Sequence, residues 1–125
     1  MCLNEEGLKT YKDNDNIRIG YKIFKKCKDG YRNIYYDTKY VIKMGEWMEQ
    51  AYCYFTIIYS SPLKSSKSLH YKAGYHFYDN IPSTHRIRSF EVVVECICEN
   101  ITAIGIQNYS DKAFVAQSYR LMREV

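Results

Sequence analysis

The sequence predicts an α+β, mainly β chain: a single domain whose antiparallel sheets form a barrel- or sandwich-like core, with one or two short helices. Three observations carry this. Apolar and polar residues alternate with a period of two in the best-patterned segments, above all from Phe90 to Glu99. Turn formers divide the chain into roughly eight short β-favouring stretches. The 125 residues are 46% hydrophobic and 16% aromatic, with only 2 Pro and 6 Gly, which is the composition of one folded domain rather than of a disordered chain. The division expected is an N-terminal arm over 1–16 and a β-rich domain over 17–125.

The arm ends in the turn-forming cluster Lys12-Asp13-Asn14-Asp15-Asn16. From there Ile17, Ile19, Tyr21 and Ile23 share one side and Arg18, Gly20 and Lys22 the other, which predicts a half-buried strand with its isoleucines inward. Asp29-Gly30 predicts a hairpin turn, and Tyr31 to Tyr36 the returning strand. Thr38 to Met44 reads as another short strand stopped by Gly45, and Glu46 to Ala51 as one turn of helix. Tyr52 to Tyr59 is apolar on both faces and predicts a central strand. Ser60 to Ser68, with Pro62 and repeated serines, predicts a basic surface loop. Gly74 to Tyr78 is a further strand, and Asn80 with Pro82 could open a helix. On the segment from Phe90 to Glu99, Phe90, Val92, Val94, Cys96 and Cys98 form a core face opposite Glu91, Glu95 and Glu99. A turn at Asn100, a strand from Ile101 to Gln107, a turn over 108–111 and a strand from Ala113 to Met122 complete a meander.

Met1-Cys2-Leu3-Asn4-Glu5-Glu6 has neither the basic region nor the apolar stretch of a secretory signal, and no apolar run reaches a membrane span, so the expectation is a cytoplasmic protein that does not contact membrane. The odd set Cys2, Cys27, Cys53, Cys96 and Cys98 then reads as free thiols. Paired Cys-x2-Cys or His-x3-His spacings are absent, so no metal or cofactor is expected, and Cys96 and Cys98 read as small core hydrophobes. No nucleophile elbow, glycine-rich phosphate loop or zinc-protease motif occurs, and no catalytic residue is assigned. His70, His76 and His85 offer the nearest approach to acid–base chemistry.

Charge is more informative. The net charge of +4 is modest, but residues 9–43 hold ten Lys or Arg against four Asp, and residues 64–88 hold five against one. Both blocks carry many of the 14 tyrosines. Basic and aromatic residues interleaved in this way can hold phosphate and stack a base, or grip an acidic protein surface. The candidate binding face is Arg18, Lys22, Arg32, Tyr75, His76, Arg86 and Arg88.

Gly20-Tyr21-Lys22-Ile23-Phe24, Gly74-Tyr75-His76-Phe77-Tyr78, Val92-Val93-Val94 and Ala103-Ile104-Gly105 occur in an order that resembles small β-rich proteins carried by phages and prophages. The resemblance implies a mobile-element setting in a bacterial host, and transfers no activity and no site residue. That setting, together with the basic, Tyr-rich face, leads us to expect a non-enzymatic, anti-CRISPR-like binding protein that blocks a bacterial defence protein or its nucleic acid. The alternatives are a nucleotide-binding sponge for an immune signal, built across a homo-oligomer interface, and a small hydrolase or transferase using His76 or His85.

Overall fold

The computed structural model describes residues 3–4, 7–35, 38–49, 55–59, 68–82, 87–107 and 111–125, with 55–59 and 68–70 described by their backbone alone. Among them are nine strands: β1 Lys9–Thr10, β2 Ile17–Cys27, β3 Gly30–Arg32, β4 Trp47–Glu49, β5 Phe55–Tyr59, β6 Ser68–Lys72, β7 Tyr75–Tyr78, β8 Glu91–Gln107 and β9 Asp111–Glu124. The fold is mainly β, and every pairing is antiparallel. The expected helices are not seen among the described residues. Trp47–Glu49, read as part of a helical turn, instead pairs with β9 as an edge strand, because six helix formers are too few to outweigh a sheet edge that satisfies their backbone.

β8 carries the architecture. It pairs with β2 along one edge from Glu91 to Glu99 and with β9 along the other from Val94 to Gln107. β7 pairs with β9 over Tyr75–Tyr78 and touches β2 at the single register pair Tyr21↔Tyr78, so β8, β2, β7 and β9 close into a ring. The expected break at Asn100 is a bend. Asn100 takes a left-handed φ of 57° and the ladder shifts register just beyond it, so two predicted strands are one strand of 17 residues. Asn is among the few residues that adopt this conformation readily, and its side chain is tied to Asn14 and Asp13.

The Lys28-Asp29 turn forms the expected hairpin, with Cys27 opposite Gly30. A Cβ on Gly30 would stand 2.5 Å from the Ile42 carbonyl oxygen, which makes glycine obligatory there. The segment from Thr38 to Met44 supplies only the bridge Ile42↔Tyr31 rather than a strand. The expected central strand is in fact β5, which pairs with β6 in a separate two-stranded sheet. Residues 52–54, most of the serine-rich loop, 83–86 and the turn at 108–110 lie outside the described residues. In the leading segment β1 pairs with β8, and Leu3 is buried.

The ring encloses the main core of Phe24, Phe77, Val94, Cys96, Cys98, Phe114, Tyr119 and Leu121. Here β2 departs from its predicted orientation. Gly20 faces Phe77 and Phe114, and a Cβ there would stand 2.5 Å from Phe114 Cζ, so the Arg18, Gly20, Lys22 side points into the ring and Ile17 and Ile19 face solvent. Two bulky rings from β7 and β9 already fill the interior beside β2. A glycine flanked by side chains with long flexible stems fits that space, where a row of isoleucines would overpack it. A second, smaller core of Leu3, Tyr71, Tyr78, Ala103, Ala113 and Val115 lies on the outer side of the sheet.

Candidate partner-binding site

The predicted binding residues separate into two groups. Arg18, Lys22, Tyr75 and His76 gather around the β2–β7 seam, where the backbone ladder is a single pair. Side chains complete the closure: Lys22 Nζ donates to the His76 carbonyl at 3.0 Å, and Arg18 Nη2 lies 3.2 Å from Asp79 Oδ1. The stems lie along the core aromatics, Arg18 with its guanidinium 5.1 Å from the Phe114 ring centroid and Lys22 with its ammonium 5.4 Å from that of Phe77. Burial lowers the Lys22 amine to about 8. Tyr75 donates to the Glu49 carbonyl at 2.9 Å and stands edge-on to Tyr119. His76 Nε2 is 2.9 Å from Tyr71 Oη, and burial, followed by the Lys22 charge, lowers its pKa to about 3. Lys22 and Arg18 thus tie β2 to β7, whereas the Tyr75 and His76 side chains bond to β4 and β6.

The histidine and thiols around the seam are poorly placed for acid–base or nucleophilic work near neutrality. His76 is held neutral. Burial pushes Cys96 up to about 12 and raises Cys98 as well, whereas a nucleophilic thiol needs a lowered pKa. No group of three or more His, Cys, Asp or Glu among the described residues could hold a metal ion. Nor is there among them a helix long and apolar enough to cross a membrane.

Arg32 and Arg88 lie elsewhere, both near the end of the ring where β2 turns into β3. Lys25 pairs with Arg32 on one side and Glu91 on the other, and the Arg88 amide donates to Glu91 Oε1 at 2.8 Å. Lys25, Lys28, Arg32 and Arg88 are all exposed, while Lys26 is paired with Glu124 at 2.7 Å. Arg86 lies outside the described residues.

In the middle of this end stands a residue that the sequence reading assigned to the core. Phe90 is 75% exposed, and its φ of 66° is in the left-handed region. A tight turn fixes it: Glu91 N donates to Arg88 O at 3.0 Å, and Lys26 N donates to Phe90 O at 2.6 Å. The turn ends the alternation one residue early, so the core face of β8 begins at Val92. A left-handed conformation costs a residue with a Cβ roughly 1 to 2 kcal/mol, and no apolar burial offsets it here. The sequence held no signal for this, since Ser89 is the only turn-favouring residue near Phe90. An exposed aromatic on a strained turn, close along the chain to the exposed Ile87 and Arg88 and next to the Lys25–Arg32 register pair, has the make-up of a recognition anchor with a charged rim. The chain matches no protein-family model, no curated protein and no solved structure.

Proposed function

We propose that the protein is a non-enzymatic binding module that docks through Phe90, with Lys25, Arg32 and Arg88 steering it onto an acidic surface of a bacterial defence protein. The observation that carries this reading is the solvent-exposed Phe90 held in a left-handed turn near cations that have no ion pair among the described residues. Aromatic and arginine side chains supply most of the free energy at protein interfaces, and a basic rim raises the rate of encounter with an acidic partner. The class of partner rests on the resemblance to phage and prophage proteins. The geometry favours a nucleotide sponge less, because most of the described tyrosines in the two basic blocks are committed: Tyr31, Tyr71 and Tyr78 are buried, and Tyr21 donates to Glu95, Tyr40 to Glu46 and Tyr75 to Glu49, whereas Tyr35 presents an exposed ring for stacking. Hydrolase or transferase chemistry through His76 is disfavoured by its lowered pKa.

The test is phage plating on a bacterial strain with an active nuclease-based defence. Wild-type protein should raise plating efficiency, and Phe90→Ala should return it to the level of cells lacking the protein. Arg32→Glu combined with Arg88→Glu should reduce it at least tenfold, while Lys9→Glu, an exposed position opposite Ile104 at the other end of β8, should fold and leave protection unchanged. Protection unchanged in Phe90→Ala, or absent with wild-type protein across defence-positive strains, would overturn the reading.

A further inference from the structure

The outward side of β2, β8, β9 and β4 forms one continuous surface whose composition can be read row by row from the register. One row is Ile19, Ile97, Arg120 and Trp47, each opposite the next across neighbouring strands. The adjoining row is Ile17, Glu99, Ser118 and Glu49. Ile17 is 66% exposed, Ile19 45% and Trp47 41%, and Met122 beside them is exposed as well. The Arg120 guanidinium lies over the Trp47 ring at 5.0 Å, and its buried Nε has no hydrogen-bond partner among the described residues. Neither Glu49 nor Glu99 has an ion pair among the described residues. The surface therefore combines apolar bulk, an incompletely satisfied arginine and two uncompensated carboxylates within two adjacent rows.

We propose that a second copy of this chain covers the surface, face to face, about a two-fold axis running along the strands between β8 and β9. Such an axis exchanges the β8 and β9 columns and also the β2 and β4 columns. It lays Ile19 against Trp47 of the second copy and brings Arg120 beside Glu99 of the second copy, twice over. The pattern is complementary to itself, which is the requirement for an isologous interface. Any other occupant would have to supply both the apolar cover and charges of both signs in the matching order. Two sheets packed in this way form an aligned sandwich, the ordinary arrangement for sheet faces with large apolar side chains. Phe90 precedes Glu91 at the far end of the β2–β8 register and stays outside the contact, so the dimer does not depend on the proposed function.

The experiment is sedimentation velocity on the full chain from low to high micromolar concentration, with fluorescence of the sole tryptophan, Trp47, read on the same samples. The expected result is a concentration-dependent shift to twice the chain mass of 14.9 kDa, with Trp47 emission moving to shorter wavelength in step. Arg120→Glu should weaken dimerisation roughly a hundredfold, and Ile19→Glu should give monomer at all concentrations. The double variant Arg120→Glu with Glu99→Arg, which exchanges the two charges across the contact, should recover affinity to within about tenfold of wild type. Circular dichroism of each variant as a monomer confirms that it is folded. Wild type that stays monomeric throughout, a dimer indifferent to Ile19→Glu, or a charge exchange that fails to restore association would each overturn the proposal.

Discussion

β8 and β9 run through two halves of the molecule that treat their outer face in opposite ways. Beyond Asn100 that face consists of Ala103, Gly105, Ala113 and Val115, and it is covered by Leu3, Leu8 and Tyr71. Before Asn100 it consists of Ile97 and Arg120, flanked by Ile19 and Trp47, and the described chain leaves it bare. The difference is one of side-chain size. Small residues lower the sheet surface enough for another segment to lie close, and a Cβ on Gly105 would already stand 3.4 Å from Leu3 Cβ. Large side chains stand up from the other half, as they do in the cores of protein interfaces. One half is finished by the chain itself, and the other is shaped for a separate body.

The comparison breaks most readily at the cover. Tyr71→Ala should lower unfolding free energy by about 3 to 5 kcal/mol and Leu3→Ala by about 2 to 5 kcal/mol, since both side chains are almost wholly buried. Ile19→Ala in the bare half should change the monomer by no more than about 0.5 kcal/mol. Urea unfolding at a concentration where the protein is monomeric measures all three. A Leu3→Ala variant as stable as wild type would show that the leading segment does not close the covered half.

A smaller effect, set by pH, distinguishes the halves by mechanism. The Leu3 amide donates to Tyr71 Oη at 3.2 Å, which leaves the hydroxyl to donate to an unprotonated His76 Nε2 at 2.9 Å. Protonating His76 would set two donors against each other. Its folded pKa of about 3 lies below its ordinary 6.5, so the unfolded chain binds the proton first. The His76 contribution is therefore complete above pH 6.5 and falls as pH drops towards 3, by at most roughly 1.4 kcal/mol per pH unit. Between pH 6.5 and 4.5 the lowered carboxylates Glu46, Glu95 and Glu124 are still largely ionised, so His76 dominates that window. His76→Phe should flatten the urea midpoint across it, and a slope that survives this substitution would place the acid sensitivity elsewhere.

Much of the fold was legible because it is local. The Asp29-Gly30 hairpin and the alternation from Val92 to Cys98 were each stated by a few adjacent residues. What the sequence hid was set by distant partners. The parity of β2 depends on Phe77 and Phe114, residues remote in sequence whose rings occupy the space that Gly20 leaves free. An alternating strand tells which residues share a face, but the direction of that face is decided by what else fills the core. The same reversal moved Arg18 and Lys22 from a surface patch to the seam, so of the six predicted binding residues that are described, Arg32 and Arg88 are the two placed on the exposed basic end. Phe90 was hidden for a related reason. Two residues before Val92, it fitted the alternation by spacing, but the left-handed turn ends the core face at Val92 and leaves its ring in solvent.

That turn provides the smallest effect and the sharpest contrast between stability and recognition. Glycine adopts a φ of 66° without the steric cost borne by a residue with a Cβ, and Phe90 loses almost no buried surface when it is replaced. Phe90→Gly should therefore leave the fold intact and raise unfolding free energy by up to about 1 kcal/mol, the gain offset in part by the greater freedom of glycine in the unfolded chain. Phe90→Ala keeps the strained conformation and should be neutral or slightly destabilising. Both should lose protection in the plating assay. A pair of variants that lose function while one gains stability separates a residue kept for recognition from one kept for folding. Destabilisation of Phe90→Gly by more than about 1 kcal/mol would instead show that the ring packs against the molecule and does not serve as an exposed anchor.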